Sequence, residues 1–243
     1  MIPNLCNLPR HSPLAPVVAI GVRRKGTAGA RPPHVGGSPA LNRIAGMIIA
    51  AGGGRRIGGP EALLHQDGKP LVDQMIDTLT EAGCGPIVVV LGAAADQVRE
   101  TADLDRATVV VNRAWGTGVG SSIRAGLAGL DDDRIEAVVV VPVDMPGLTA
   151  AAVRRVTALP FPDVLVCATY NGLRGYPMLF GRRHWAGIAT LASADVGARP
   201  YLLAHKDQIV DIACDSVADG SRVDTPELMA LYGLSVPEQR VPA

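Results

Sequence analysis

Cysteine is scarce in this chain, and what there is lies scattered. Cys6, Cys84, Cys167 and Cys214 form no CxxC or Cys/His pattern, which argues against a zinc site or a disulfide framework. Each is expected as a small buried hydrophobe in a reducing cytoplasm. Aromatics make up only 3 % of the residues, so Ala, Val, Leu and Gly must build the interior. No apolar run reaches the roughly 20 residues needed to span a bilayer. The longest, around Ala137–Val141, is strand-sized, so no membrane association is expected.

Acidic residues are missing from positions 1–46, where Arg10, Arg23, Arg24, Lys25, Arg31 and Arg43 stand alone. The remainder carries 17 basic against 23 acidic residues, and the whole chain is neutral. Residues 1–45 are also Pro-rich and aperiodic, and are expected to be a disordered extension. They lack the apolar stretch and cleavage site of a secretory signal. They also lack any aromatic that could stack on bases, so no nucleic-acid partner is expected. A working protein that starts near Met47 is an alternative. Residues 237–243 are read as a disordered tail.

What is present is a regular alternation. With 48 % hydrophobic residues in 243, the chain can build one full-sized core. Apolar strand-like runs cover 44–51, 86–91, 108–111, 136–143, 163–169 and 208–213. Helical spacing covers 70–82, 94–104, 121–130, 149–159, 182–191, 198–206 and 226–234. Ser121, Thr149 and Thr225 are placed to cap three of these helices. Strands that are apolar throughout and alternate with helices predict a single α/β domain over 46–236, with a mostly parallel sheet. Ligands of such sheets bind beyond the carboxyl ends of the strands.

Four loops occupy that edge. The first, Gly52-Gly53-Gly54-Arg55-Arg56-Ile57-Gly58-Gly59, matches neither the Walker A loop nor GxGxxG. Its glycines and arginines still suit a phosphate, through open backbone amides and guanidinium groups. An ordinary strand-to-helix turn is the alternative. The second, Asn112 to Ser122, alternates glycines up to a helix start and could hold a base, a ribose or an anion. Its serines could equally be caps. In the third, Pro142 ends regular pairing and Asp144 emerges as a candidate Mg²⁺ ligand or a plain turn aspartate. The fourth, Ala168–Pro177, reads as a turn. His65, His184 and His205 lack partner spacing, and no GxSxG nucleophile motif occurs.

Taken together, these stretches resemble the MobA-like NTP transferase family, over about residues 46–234. Ala50–Leu64, AAGGGRRIGGPEALL, follows the family's AAGxGxRxGxxKxLL loop. Gly118–Leu127 looks like its nucleotide-facing GmgsSLraGL segment. Asp144 falls in its DxP segment, Asp224 in its DTPE segment, Tyr176 in its RGHP turn, and Asp195–Arg199 in its DxGAR segment. The branch that transfers CMP to molybdopterin is the nearest. The resemblance implies a Rossmann-like three-layer domain of the nucleotide-diphospho-sugar transferase type. It also implies transfer of a nucleotidyl group from an NTP to a small phosphorylated acceptor, with release of pyrophosphate. Asp144 and Asp224 would hold Mg²⁺. Ala50, Ala51, Gly52, Gly53, Gly54, Arg55, Arg56, Glu61, Asn112, Gly118, Ser121 and Ser122 would face the nucleotide, with Arg56 and Asp144 catalytic.

One position departs from the pattern. Glu61 stands where the family has a phosphate-contacting lysine. Reversing a charge about 4 Å from a phosphate alters the interaction by several kcal/mol at an effective dielectric near 20. Either Arg55 or Arg56 supplies the charge, or Glu61 binds the metal, or nucleotidyl transfer is lost. The last outcome has a concrete form. VPVDMPGLTAAAVRRV (141–156) and GRRHWAGIA (181–189) are similar to the nicotine blue oxidoreductase subgroup, NAD(P)H-dependent reductases built on the same fold. A non-catalytic nucleotide-binding protein is the third expectation.

Overall fold

The computed structural model describes residues 44–158 and 162–236, with the backbone of Val18–Ile20. The described residues form eleven strands and seven α-helices. The strands are β1 (Val18–Ile20), β2 (Ile44–Ala50), β3 (His65–Gln66), β4 (Lys69–Pro70), β5 (Ile87–Leu91), β6 (Thr108–Val111), β7 (Ala137–Pro142), β8 (Leu165–Tyr170), β9 (Leu173–Gly181), β10 (Ile209–Ala213) and β11 (Leu234–Ser235). The helices are α1 (Leu71–Glu81), α2 (Ala95–Thr101), α3 (Val119–Ala128), α4 (Ala150–Val156), α5 (Trp185–Leu191), α6 (Arg199–Ala204) and α7 (Pro226–Leu231).

Eight strands form the main sheet in the order β1-β6-β5-β2-β7-β9-β8-β10. The two neighbours of β2, β5 and β7, both run parallel to it. From β2 the chain winds outward through β5 and β6, then returns to β7 on the other side. That reversal is a topological switch point, and it opens a crevice between the ends of β2 and β7.

The central strands are buried on both faces, and their residues alternate between two cores. Ile48, Val89, Val139 and Val141 join α1 and α4 on one side. Met47, Val88, Val90, Val138 and Val140 join α3, α5 and α6 on the other. Each such aliphatic contributes about 1.5–3 kcal/mol on full burial, so the sheet is a rigid base for the loops at its edge. Cys84, Cys167 and Cys214 are free thiols packed as apolar residues, as expected; Cys6 lies outside the described residues. Burial pushes the Cys84 thiol up to about 12, which keeps it protonated and inert. His184 is buried and satisfied, hydrogen-bonded to the Tyr201 hydroxyl and the Asp163 carbonyl.

Two expectations need correction. The stretch read as a turn over 168–177 is a hairpin whose second arm, β9, runs antiparallel between β7 and β8. Its two-residue turn is Asn171-Gly172, with φ of 49° and 75°, the left-handed pair that tight hairpins require. Helix α3 begins at Val119 with Gly118 as its uncapped N-cap, so Ser121 is not a cap. Strand β2 starts at Ile44, as the apolar run 44–51 predicts, and Val18–Ile20 adds an antiparallel strand beside β6. The rest of 1–43 and the tail 237–243 lie outside the described residues. Thr149 and Thr225 do cap their helices, accepting from Ala152 N and Leu228 N.

Candidate active site

The crevice at the switch point is an open cleft of about 500 Å³, a size typical of small-molecule sites. Three of its walls come from loops that the sequence picks out at this edge, 52–57, 115–122 and 142–144, and a fourth, 195–197, from the segment quoted for the family resemblance. Two further walls, Tyr176 on β9 and the 222–224 segment, are carried in by the antiparallel strand and the chain's return.

The glycine loop is shaped by its own hydrogen bonds. Gly54 has φ +54°, and its carbonyl accepts from Ile57 N (3.0 Å) and Gly59 N (3.2 Å). A Cβ there would collide with the Gly59 carbonyl, so residue 54 must be glycine for the loop to close. Gly52 and Gly53 serve the cleft instead. A Cβ on Gly52 would collide with Oε2 of Glu61, and one on Gly53 would meet the Trp115 ring at 3.2 Å. The Glu61 carboxylate therefore stands directly over the first glycine of the loop. It comes from the single 3₁₀ turn Glu61–Leu63, which Ala62 and Leu63 anchor in the core.

That carboxyl is held above its ordinary range. Burial is the main cause, and the charge of Asp144 adds to it; a hydrogen bond from its own backbone N–H and the charges of Arg222 and Arg56 act against it. Asp144 lies deeper, 2 % exposed. Arg222 clamps it in a fork. Nε donates to Oδ1 (3.0 Å) and Oδ2 (3.1 Å), and Nη2 donates to Oδ2 (2.7 Å). The backbone joins the same two segments, with Val223 N donating to the Asp144 carbonyl at 2.8 Å. Burial works against the Arg222 charge, yet the hydrogen bonds and charge of Asp144 raise it beyond its ordinary range. Tyr176 faces the same cluster; burial raises its phenol and the nearby Arg222 charge opposes this. Asp224 is paired separately, at 2.7 Å from Nη2 of Arg56.

The expected site residues divide into three groups. Gly52, Gly53, Gly54, Arg55, Arg56, Glu61, Gly118, Ser122, Asp144 and Asp224 all line the cleft. Ala51 also lines it, although its side chain is buried, whereas Ala50 is buried at the end of β2. Asn112 and Ser121 are structural. The Asn112 amide donates to Ser121 Oγ (2.8 Å) and Ser122 Oγ (3.1 Å), and its oxygen accepts from Ala114 N. Ser121 turns back to the Gly118 and Ala114 carbonyls. These bonds fix the loop against α3 and leave neither side chain available to a nucleotide. Three residues of the cleft, Trp115, Tyr176 and Arg222, carry no site role in the sequence reading. Trp115 and Tyr176 sit inside quoted motifs. Arg222 has no local signal beyond its place two residues before Asp224.

A divalent metal held between Asp144 and Asp224 does not fit this arrangement. Both oxygens of Asp144 are engaged by Arg222, and Asp224 is engaged by Arg56. Among the described residues no group of three His, Cys, Asp or Glu side chains is placed to hold a metal ion. The cleft lining carries three arginines and four carboxyl groups. No helix of the described residues is long and apolar enough to cross a membrane.

Comparison with known proteins bears on this geometry. A profile of the MobA-like NTP transferase domain matches residues 46–209. Nicotine blue oxidoreductase of Paenarthrobacter nicotinovorans is 37 % identical over 202 residues, covering 79 % of this chain and 98 % of that protein. Among solved structures, a Mycobacterium sp. strain JC1 homolog of Mycobacterium tuberculosis Rv0371c superposes with a TM-score of 0.69 at 26 % identity, covering 79 % of this chain and 96 % of that one. Rv0371c itself has been solved in complex with manganese; it superposes with a TM-score of 0.65 at 25 % identity, covering 78 % and 97 %.

Proposed function

We propose, from the premise that this chain belongs to the MobA-like NTP transferase family, that its cleft takes a reduced nicotinamide dinucleotide and that the enzyme is an NAD(P)H-dependent reductase. The observation that carries this reading is the state of Asp144. Nucleotidyl transfer needs a cation that neutralises charge on the α-phosphate and the leaving pyrophosphate. Here the deepest carboxylate of the cleft is closed by Arg222, and the carboxylate of Glu61 covers the first glycine of the phosphate loop. Hydride transfer leaves the phosphates of its cofactor intact and needs no metal beside them. The 37 % identity to nicotine blue oxidoreductase, over almost its whole length, supports the same reading.

The residues present suit such a ligand. Arg55 and Arg56 stand at the cleft and can meet two phosphates. The N-terminus of α3 opens onto the cleft with no side-chain cap, so its first amides favour an anion. Trp115 and Tyr176 line the interior and suit a planar, conjugated acceptor. A reduced nicotinamide, when bound, supplies the hydride to an electrophilic atom of that acceptor. The acceptor's oxygen or nitrogen then needs a proton. Glu61 lines the cleft with its carboxyl raised by burial, and is placed to pass a proton from solvent to that atom. Tyr176, which lines the same cleft, stabilises the charge that develops before that proton arrives.

A second reading keeps nucleotidyl transfer, with CMP favoured and a phosphorylated acceptor such as molybdopterin. The family match and the manganese complex of Rv0371c favour it. It requires Arg222 to leave Asp144 so that Mg²⁺ can enter. A thermal-shift panel separates the two. At about 100 times its Kd a ligand stabilises by roughly 2.7 kcal/mol. NADPH or NADH raising the midpoint in EDTA, with CTP and GTP silent with or without Mg²⁺, supports the reductase. The opposite pattern supports the transferase.

A further inference from the structure

We infer that Arg222 is the resident cation of this cleft: it takes on Asp144 the place a divalent ion would need, and presents its remaining edge to a diphosphate group, so that the ligand is held without metal. The guanidinium uses one edge, Nε and Nη2, to grip both oxygens of Asp144. Its Nη1 has no hydrogen-bond partner among the described residues, and the side chain is 54 % exposed on the cleft. It is therefore anchored at one end and open at the other, the arrangement a fixed anion receptor needs.

The anchoring is built into the fold. Val223 donates its backbone N–H to the Asp144 carbonyl, which holds the neighbouring Arg222 beside its partner. Asp144 is nearly inaccessible behind the guanidinium, so an ion must displace Arg222 to reach it. The second carboxylate, Asp224, has one oxygen paired with Arg56 at 2.7 Å, in a more exposed contact. Two ion pairs thus stand where a pair of aspartates would share a metal. A guanidinium brings one positive charge and planar N–H donors, and it cannot polarise a bound water. Such a site suits the doubly charged diphosphate of a dinucleotide better than a triphosphate.

The inference is separable from the hydride reading, because its readouts are metal and pyrophosphate binding. Inorganic pyrophosphate is titrated by calorimetry against the full chain in EDTA and in millimolar Mn²⁺. The wild type should bind it equally in both. Arg222→Gln keeps a donor for Asp144 and a folded protein, and should weaken pyrophosphate at least tenfold. Electron paramagnetic resonance of Mn²⁺ should show at least tenfold tighter binding to Arg222→Gln than to the wild type, and that gain should vanish in Arg222→Gln/Asp144→Asn. The inference is overturned by tenfold tighter wild-type pyrophosphate binding with Mn²⁺, by no pyrophosphate binding at all, or by pyrophosphate or Mn²⁺ affinity in folded Arg222→Gln within twofold of wild type.

Discussion

The pairing of Asp144 with Arg222 makes an unequal prediction about its two halves. The Asp144 side chain is 3 % exposed and that of Arg222 is 54 % exposed. Removing the carboxylate charge by Asp144→Asn loses charge-assisted hydrogen bonds worth about 1.5–3 kcal/mol. The guanidinium left behind can rehydrate through the open cleft, so the net cost should be about 1–2 kcal/mol. Arg222→Ala is worse, because it leaves the more deeply buried partner without its charge-assisted donors, and only water entering the space vacated by the guanidinium can replace them. Its cost should approach the roughly 3–5 kcal/mol of a broken buried pair. The double variant should cost less than the sum of the two, with a coupling of about 1–2 kcal/mol. Urea denaturation of all four proteins measures this, provided the slope with denaturant stays constant. If Arg222→Ala costs no more than Asp144→Asn, or if the coupling is below about 0.5 kcal/mol, the pair does not form in solution. Asp144 would then be open to a metal.

Three more outcomes follow from other parts of the site. The raised Glu61 carboxyl binds its proton more tightly folded than unfolded. Its contribution is therefore most favourable at low pH and weakens as pH rises from its ordinary 4.5 through the raised value. Glu61→Gln should flatten that slope, leave the protein more stable than wild type at neutral pH, and slow reduction of an acceptor. Melting temperatures between about pH 4 and pH 8 check the first part, on the side of the window that linkage assigns. Gly118→Ala should destabilise by about 2–4 kcal/mol, since φ is +105° and its Cβ would strike the Ala194 backbone; an urea midpoint close to wild type would contradict this. Only two tryptophans report fluorescence, and Trp185 is buried with its indole N–H on the Phe180 carbonyl. Quenching by bound nucleotide should vanish in Trp115→Phe; its survival would place the ligand elsewhere.

Much of the fold was legible because its signals are local. The Val-rich runs that became β5, β6 and β7 are apolar at every position, which is what burial on two faces demands. Thr149 and Thr225 announce their helices by capping chemistry within three residues. β9 was missed because Arg174-Gly175-Tyr176-Pro177 has turn composition; its strand character comes from pairing on both sides, with β7 and β8. Asn171-Gly172 was the signal that could have revealed it. The bracing of the loop by Ser121 and Asn112 was hidden for a similar reason. Their polar groups satisfy one another across nine residues, which only the folded loop brings together.

The cleft itself follows from the glycine loop and from Asp144, both legible as the ends of strands β2 and β7. What the sequence could not reveal is the partner of Asp144, which lies 78 residues away in the chain. Glu61 raised the right question, whether phosphate chemistry survives here, but its own position cannot answer it. The answer depends on Arg222, because a carboxylate over the loop could still have shared a metal with an open Asp144.

The most direct test of metal-free hydride transfer is a single-turnover reaction without oxygen. The full chain, in EDTA, is mixed with NADPH and a panel of planar quinoid acceptors, and loss of the reduced-nicotinamide absorbance is followed. The same protein is given CTP, Mg²⁺ and a phosphorylated acceptor, and pyrophosphate is assayed. Enzyme-dependent NADPH oxidation that persists in EDTA, with no pyrophosphate released, is the expected result. Pyrophosphate release that requires Mg²⁺, with NADPH left intact by every acceptor, would contradict the account and return the chain to nucleotidyl transfer.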